Sequence, residues 1–98
     1  MINTVYSADE GRYSSGMQYR RSGRSGIMLP EISLGLWQNF GDTSPLSRSR
    51  DMILHAFDKG ICHFDLANNY GPLYGSAVAT FGQIMQADLR AYTDQLLI

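Results

Sequence analysis

Hydrophobic and polar positions divide the 98 residues into stretches of different period. Met1 to Gly16 is polar, rich in serine, glycine and charge, and has neither a helical nor an alternating period, which predicts a loose tail over 1–16. From Met17 to Arg21 apolar and polar residues roughly alternate, Ser22-Gly23-Arg24-Ser25-Gly26 carries turn chemistry, and Ile27-Met28-Leu29 follows. That order is the signature of a β-hairpin. Pro30 interrupts the apolar run, and Ile32-Ser33-Leu34-Gly35-Leu36 reads as a strand in which Gly35 permits close backbone approach. Trp37 to Thr43 is then a loop at the strand's carboxyl end.

Ser44-Pro45 offers an N-cap followed by proline at the first helical position, and Gly60 stands where a left-handed C-cap belongs. Between them Ile53, Ala56, Phe57 and Gly60 fall on one face, with Arg48, Asp51, His55, Asp58 and Lys59 mostly elsewhere. Ile61 to Phe64 is a short apolar strand, and the strand-helix-strand order favours a right-handed parallel crossover. A second helix opens at Gly75-Ser76 and runs to about Ala87, with Val78, Phe81, Ile84 and Met85 as its apolar face. Asp88 to Asp94 reads as a polar connection, and Gln95-Leu96-Leu97-Ile98 as the start of a third strand.

Asp65 closes the apolar run Ile61-Cys62-His63-Phe64, and Asn68, Asn69 and Gly71 are residues that a tight turn accepts. A carboxylate at a strand end and the phenol of Tyr70, five residues on, are thereby expected to face one cleft. In parallel α/β proteins active sites collect at that carboxyl edge.

Asp65-Leu66-Ala67-Asn68-Asn69-Tyr70-Gly71 resembles the Asp-x-Ala-x-x-Tyr-Gly signature of the aldo-keto reductases, and Gly35-Leu36-Trp37-Gln38-Asn39-Phe40-Gly41 resembles that family's first strand and loop. From Met17 through Tyr92 the wording is most similar to the bacterial glyceraldehyde-phosphate reductase branch, which is related to the potassium-channel beta subunits. The resemblance implies a (β/α)8 TIM barrel, which needs about 250 residues. The expected fold is therefore α/β and incomplete: a polar tail over 1–16, then over 17–98 the N-terminal portion of the barrel, comprising the bottom hairpin, two strand-helix units and the beginning of a third strand.

The implied activity is NADP-dependent, reversible reduction of a small aldehyde or ketone, with glyceraldehyde 3-phosphate suggested by the nearest branch. Hydride transfer to a carbonyl generates an alkoxide, so the site needs a proton donor at that oxygen and a fixed nicotinamide near the carbon. By resemblance Tyr70 is the acid-base residue, Asp65 its catalytic companion, and Trp37, Asp65 and Tyr70 contact the nicotinamide half of NADP. An ordinary tyrosine has a pKa near 10, and a nearby cation lowers it. The family supplies that cation as a lysine at the end of the third strand, paired with the aspartate, and adds a histidine from the next strand. Lys59, the one lysine in these 98 residues, follows a helix at the opposite end of the second strand, and His63 does not match the family's histidine. The pyrophosphate and adenosine contacts come from late barrel strands, so these residues alone are expected to be inactive and to bind NADP weakly.

Other residues have plainer readings. Trp37 also fits a cover over the core, His55 a solvated helix position, His63 a packed or hydrogen-bonded strand position, and Cys62 inert core. A single cysteine allows no intrachain disulfide and no CxxC metal pair. The net charge of −1 gives no electrostatic case for nucleic acid, and Arg20, Arg21 and Arg24 read as a solvated hairpin face. No apolar run approaches the ~20 residues of a membrane span, and no signal-peptide pattern opens the sequence, so the expected location is cytoplasmic. A half-barrel leaves strand edges and apolar faces uncovered, which predicts a homo-oligomer or assembly with other chains. Relatives carry two acids where this sequence has Val78 and Ala79, and an acid at Ala79 would complete a capping box with Ser76. Two alternatives to catalysis stand beside this reading: a cofactor-sensing regulatory module like the channel subunits, and a gene fragment without function.

Overall fold

The computed structural model describes residues 6–36, 46–67, 70 and 75–98. The hairpin forms as its turn chemistry predicts: β1 (Tyr19–Arg21) pairs antiparallel with β2 (Met28–Pro30), Tyr19 opposite Pro30 and Arg21 opposite Met28. Gly23 and Gly26 take φ of 57° and 80°, a backbone that side chains resist, and the Ser22 amide donates to the Ile27 carbonyl at 2.7 Å to close the connection. Pro30 has no N–H to give, so pairing passes to the Glu31 amide, which donates to the Gln18 carbonyl at 2.9 Å.

The next strand is shorter than its apolar run suggested. β3 spans Leu34–Gly35 only; Ile32 lies outside it and is exposed, while Leu36 is fully buried. The first helix, α1 (Leu46–Asp58), ends as Gly60 foretells. Gly60 has φ 96°, its amide donates to the Phe57 carbonyl at 3.0 Å, and the Ile61 amide donates to the Ala56 carbonyl at 3.0 Å. Those two bonds are a Schellman motif, which satisfies carbonyls that the helix end would otherwise orphan. The expected cap at Ser44-Pro45 lies outside the described residues. The inward face contains Ile53, Ala56 and Phe57 as expected, and Ser49 and Leu54 as well.

β4 (Phe64–Asp65) lies parallel to β3, with Leu34 opposite Phe64 and Gly35 opposite Asp65. On its other edge His63 forms a parallel bridge with Leu97; the Leu97 amide donates to the Cys62 carbonyl at 2.9 Å and the Phe64 amide to the Leu97 carbonyl at 3.0 Å. The third strand is thus present as a single bridge. Sheet order is β3, β4, then Leu97, the sequential parallel neighbours that strand-helix connections produce.

The second helix keeps Phe81 and Ile84 of its predicted face and exchanges Val78 for Ala77. α2 (Ser76–Ile84) buries Ala77, Phe81 and Ile84, spaced four and three apart, while Val78 turns to solvent and Met85 is half-buried. Its N-cap is Gly75 at φ 83°, and the Oγ of Ser76 is buried without a hydrogen-bond partner among the described residues, so Ser76 does not act as a capping residue. Beyond Ile84 the helix widens into a π turn (Met85–Leu89) and then tightens into a 3₁₀ segment (Arg90–Gln95), broken by Tyr92 at φ −112° and ψ 16°. The expected polar connection over 88–94 is therefore helical. Burial of Leu89 and capture of the Asp88 carboxylate by Arg50 hold this irregular stretch in place.

The core lies between α1, β4 and α2. Leu36, Ile53, Phe57, Phe64, Ile84 and Leu89 are fully buried, and the Phe64 and Phe81 rings pack at 5.4 Å. Looseness, the expectation for 1–16, does not describe residues 6–16. Ala8 and Arg12 are buried, Tyr6 Oη donates to Asp58 Oδ1 at 2.5 Å, and the Ala8 amide donates to Tyr92 Oη at 2.9 Å. Hydrogen bonds and an arginine stacked on rings replace the apolar period whose absence suggested a tail. Residues 1–5 lie outside the described residues.

Candidate active site

The sequence motif brings its two reactive groups together. Asp65 is the last residue of β4, at the carboxyl edge of the parallel pair, and its side chain is exposed. The Leu36 amide donates to the Asp65 carbonyl at 3.0 Å, so β3 holds the backbone from which the carboxylate projects. Tyr70 is held from both sides: its amide donates to the Ala67 carbonyl at 3.1 Å, closing a turn, and its carbonyl accepts the Ala77 amide of α2 at 3.2 Å. Its half-buried ring packs against the core. Tyr70 Oη then donates to Asp65 Oδ2 at 3.1 Å.

That hydrogen bond sets the electrostatics. Accepting the phenol proton's hydrogen bond favours the neutral tyrosine, so the Tyr70 pKa is raised above its ordinary value, first by this bond, then by desolvation and by the carboxylate's charge. The resemblance instead implies a nearby cation, which would lower it. Lys59 is exposed beyond the amino end of β4, and His63 Nδ1 lies 2.6 Å from Ser33 Oγ, in a separate contact. Neither joins the pair. Trp37, the third expected site residue, lies outside the described residues. The anchoring of Tyr70 by the Ala77 amide left no mark in the sequence, because any residue but proline could donate it.

The pair thus sets an acceptor, the Asp65 carboxylate, beside a phenol that can donate or accept, at one strand end. Among the described residues no group of three or more His, Cys, Asp or Glu is placed to hold a metal ion, and no helix is long and apolar enough to cross a membrane.

The Aldo/keto reductase family model matches residues 31–98, which takes in β3, β4, Asp65 and Tyr70. The chain belongs to the aldo/keto reductase family. Among curated relatives of this aldo/keto reductase chain, L-glyceraldehyde 3-phosphate reductase of Escherichia coli (strain K12) is 52% identical over 94 residues, covering 96% of this chain and 27% of the relative. The probable voltage-gated potassium channel subunit beta of Oryza sativa subsp. japonica is 33% identical over 70 residues, covering 71% of this chain and 21% of the relative. The chain thus spans about a quarter of the length of the relatives it matches. Family membership implies a (β/α)8 barrel; the described residues form a small α/β arrangement without a closed barrel.

Proposed function

We propose that this chain contributes the N-terminal strand-helix units of an NADP-dependent reductase that interconverts a small aldehyde or ketone and its alcohol, with glyceraldehyde 3-phosphate as the candidate substrate. The observation that carries this reading is the 3.1 Å contact of Tyr70 Oη with Asp65 Oδ2 at the carboxyl end of β4. Similarity to the Escherichia coli reductase over nearly the whole of this chain supports the choice of substrate.

In this role Tyr70 donates its phenolic proton to the oxygen of the carbonyl being reduced and recovers it in the reverse direction. NADPH, when bound, would supply the hydride and leave as NADP+. Asp65 would orient the phenol through the Tyr70 hydrogen bond and, with Tyr70 and Trp37, would hold the nicotinamide. The carboxylate alone makes Tyr70 a weaker acid, so efficient proton transfer calls for a cation beside the pair. In the family that cation is a lysine at the end of the third strand, the strand to which Leu97 belongs.

Turnover of NADPH with glyceraldehyde 3-phosphate by the intact protein carrying this sequence tests the reading. Tyr70→Phe removes the proton donor and is expected to lower kcat by roughly 10²-fold or more. Undiminished turnover by that variant would overturn the assignment. A regulatory role is the second reading, favoured by similarity to the channel subunit. NADPH binding without carbonyl turnover, together with stable association with a membrane protein, is the outcome that selects it.

A further inference from the structure

We infer that residues 6–16 form a brace that sets the Leu97 strand in register beside β4, and that Arg12 is its positioning residue. Arg12 is 9% exposed, yet no carboxylate lies in its hydrogen-bonding shell among the described residues. Its guanidinium instead sits against three rings, 4.7 Å from the Tyr13 centroid, 5.0 Å from Phe57 and 5.3 Å from Tyr92. One nitrogen donates to the Asp9 carbonyl at 2.7 Å, which folds the brace on itself, and another donates to Gln95 Oε1 at 2.6 Å. Tyr13 Oη donates to the same Gln95 oxygen at 2.8 Å.

Gln95 thus receives two donors from the brace, one of them charged, and such bonds are the stronger class. Two residues later Leu97 makes both of its bonds to the strand that carries Asp65. The Ala8 amide on Tyr92 Oη adds a second tether to the same 3₁₀ segment. The far anchor is α1, where Asp58 Oδ1 accepts from Tyr6 Oη and from the Asp9 amide at 3.0 Å. Between a rigid helix and the approach to the sheet edge, Arg12 fixes how far along β4 the Leu97 backbone lies. The consequence for chemistry rests on the reading of Asp65 and Tyr70 as the site; the register itself does not.

Amide hydrogen exchange of the intact protein tests it without any assay of turnover. Gln95→Met keeps length and bulk but removes the acceptor, and Gln95→Glu keeps an acceptor facing Arg12. Exchange at the Leu97 and Phe64 amides is expected to rise roughly 10-fold or more in Gln95→Met and in Arg12→Ala, to stay within about 2-fold of the parent in Gln95→Glu, and to leave mid-α1 amides unchanged. Equal protection of Leu97 in Gln95→Met and Gln95→Glu overturns the inference, as does a loss spread evenly over α1. Should Arg12→Ala fail to fold, the two Gln95 variants decide. Failure here leaves the Tyr70→Phe result standing, and the reverse holds equally.

Discussion

Arg50 and Asp88 meet side by side, Nε to Oδ2 at 2.7 Å and Nη2 to Oδ1 at 3.0 Å, joining the middle of α1 to the π turn. The side chains are 37% and 7% exposed, so the pair is neither fully screened nor fully desolvated. Replacing Asp88 by alanine removes both bonds and leaves Arg50 without its carboxylate. A loss of about 1–3 kcal/mol is expected, between the values for surface and buried pairs, read from denaturant unfolding of the intact protein. The Arg50 pKa is raised by this pairing, so its contribution is full below an ordinary arginine pKa and is lost only at still higher pH. Arg50 therefore adds no pH dependence near neutrality.

Gly60 admits no side chain. A Cβ there would lie 2.5 Å from the Arg12 carbonyl oxygen, 2.6 Å from Tyr19 Oη and 3.0 Å from Met17 Cβ, on a backbone at φ 96°. Gly60→Ala is expected to cost about 2–4 kcal/mol through strain and overlap, and to free the brace from the end of α1. Thermal melting and limited proteolysis between Gly11 and Met17 would register the two effects separately.

Alkaline pH should weaken the fold through its tyrosines. Burial raises the pKa values of Tyr6, Tyr13 and Tyr19, with the hydrogen bond to Asp58 adding to the effect on Tyr6. A group whose folded pKa exceeds its unfolded one stabilises fully below the unfolded value and loses that contribution as pH rises through the folded value. Stability is therefore expected to decline from about pH 10 upward. Denaturation midpoints at stepped alkaline pH check this, and Tyr6→Phe should flatten the decline.

Phe64 of β4 is fully buried, with its ring tilted against that of Phe81 of α2 at 5.4 Å between centroids. Phe64→Ala should cost about 3–5 kcal/mol, a large part of the 5–15 kcal/mol typical of a folded domain. Loss of a cooperative melt is the expected outcome.

The sequence made the helix-bounded elements visible because their determinants are local. Gly60 ends α1, turn residues close the hairpin, and Asp65 and Tyr70, five residues apart, meet through their side chains. The brace escaped notice because its partners are distant: Arg12 meets Gln95 83 residues away, and polar groups satisfied at that range leave no period. On α2 the apolar spacing points to Val78, whereas the neighbouring Ala77 is the residue buried beside Phe81 and Ile84. The π turn hid for a related reason. Asp88 looked like solvent-facing polarity, and only Arg50, 38 residues earlier, makes its burial tolerable. At the site, the aspartate-tyrosine contact was legible, but the direction of the Tyr70 shift was not, because it depends on which charge is nearest.

The brace also imposes an order of events during synthesis. Residues 6–16 are made before Tyr92 and Gln95, which accept from Ala8, Arg12 and Tyr13 across more than 80 residues of chain. Asp58 becomes available earlier and can hold Tyr6 and the Asp9 amide while the rest of the chain emerges. The nascent chain therefore carries residues 6–16 half-fastened until Gln95 emerges, and contacts closing so long a loop form late. Ribosome-bound chains halted before and after Gln95 would differ at Arg12, accessible to protease in the shorter and shielded in the longer.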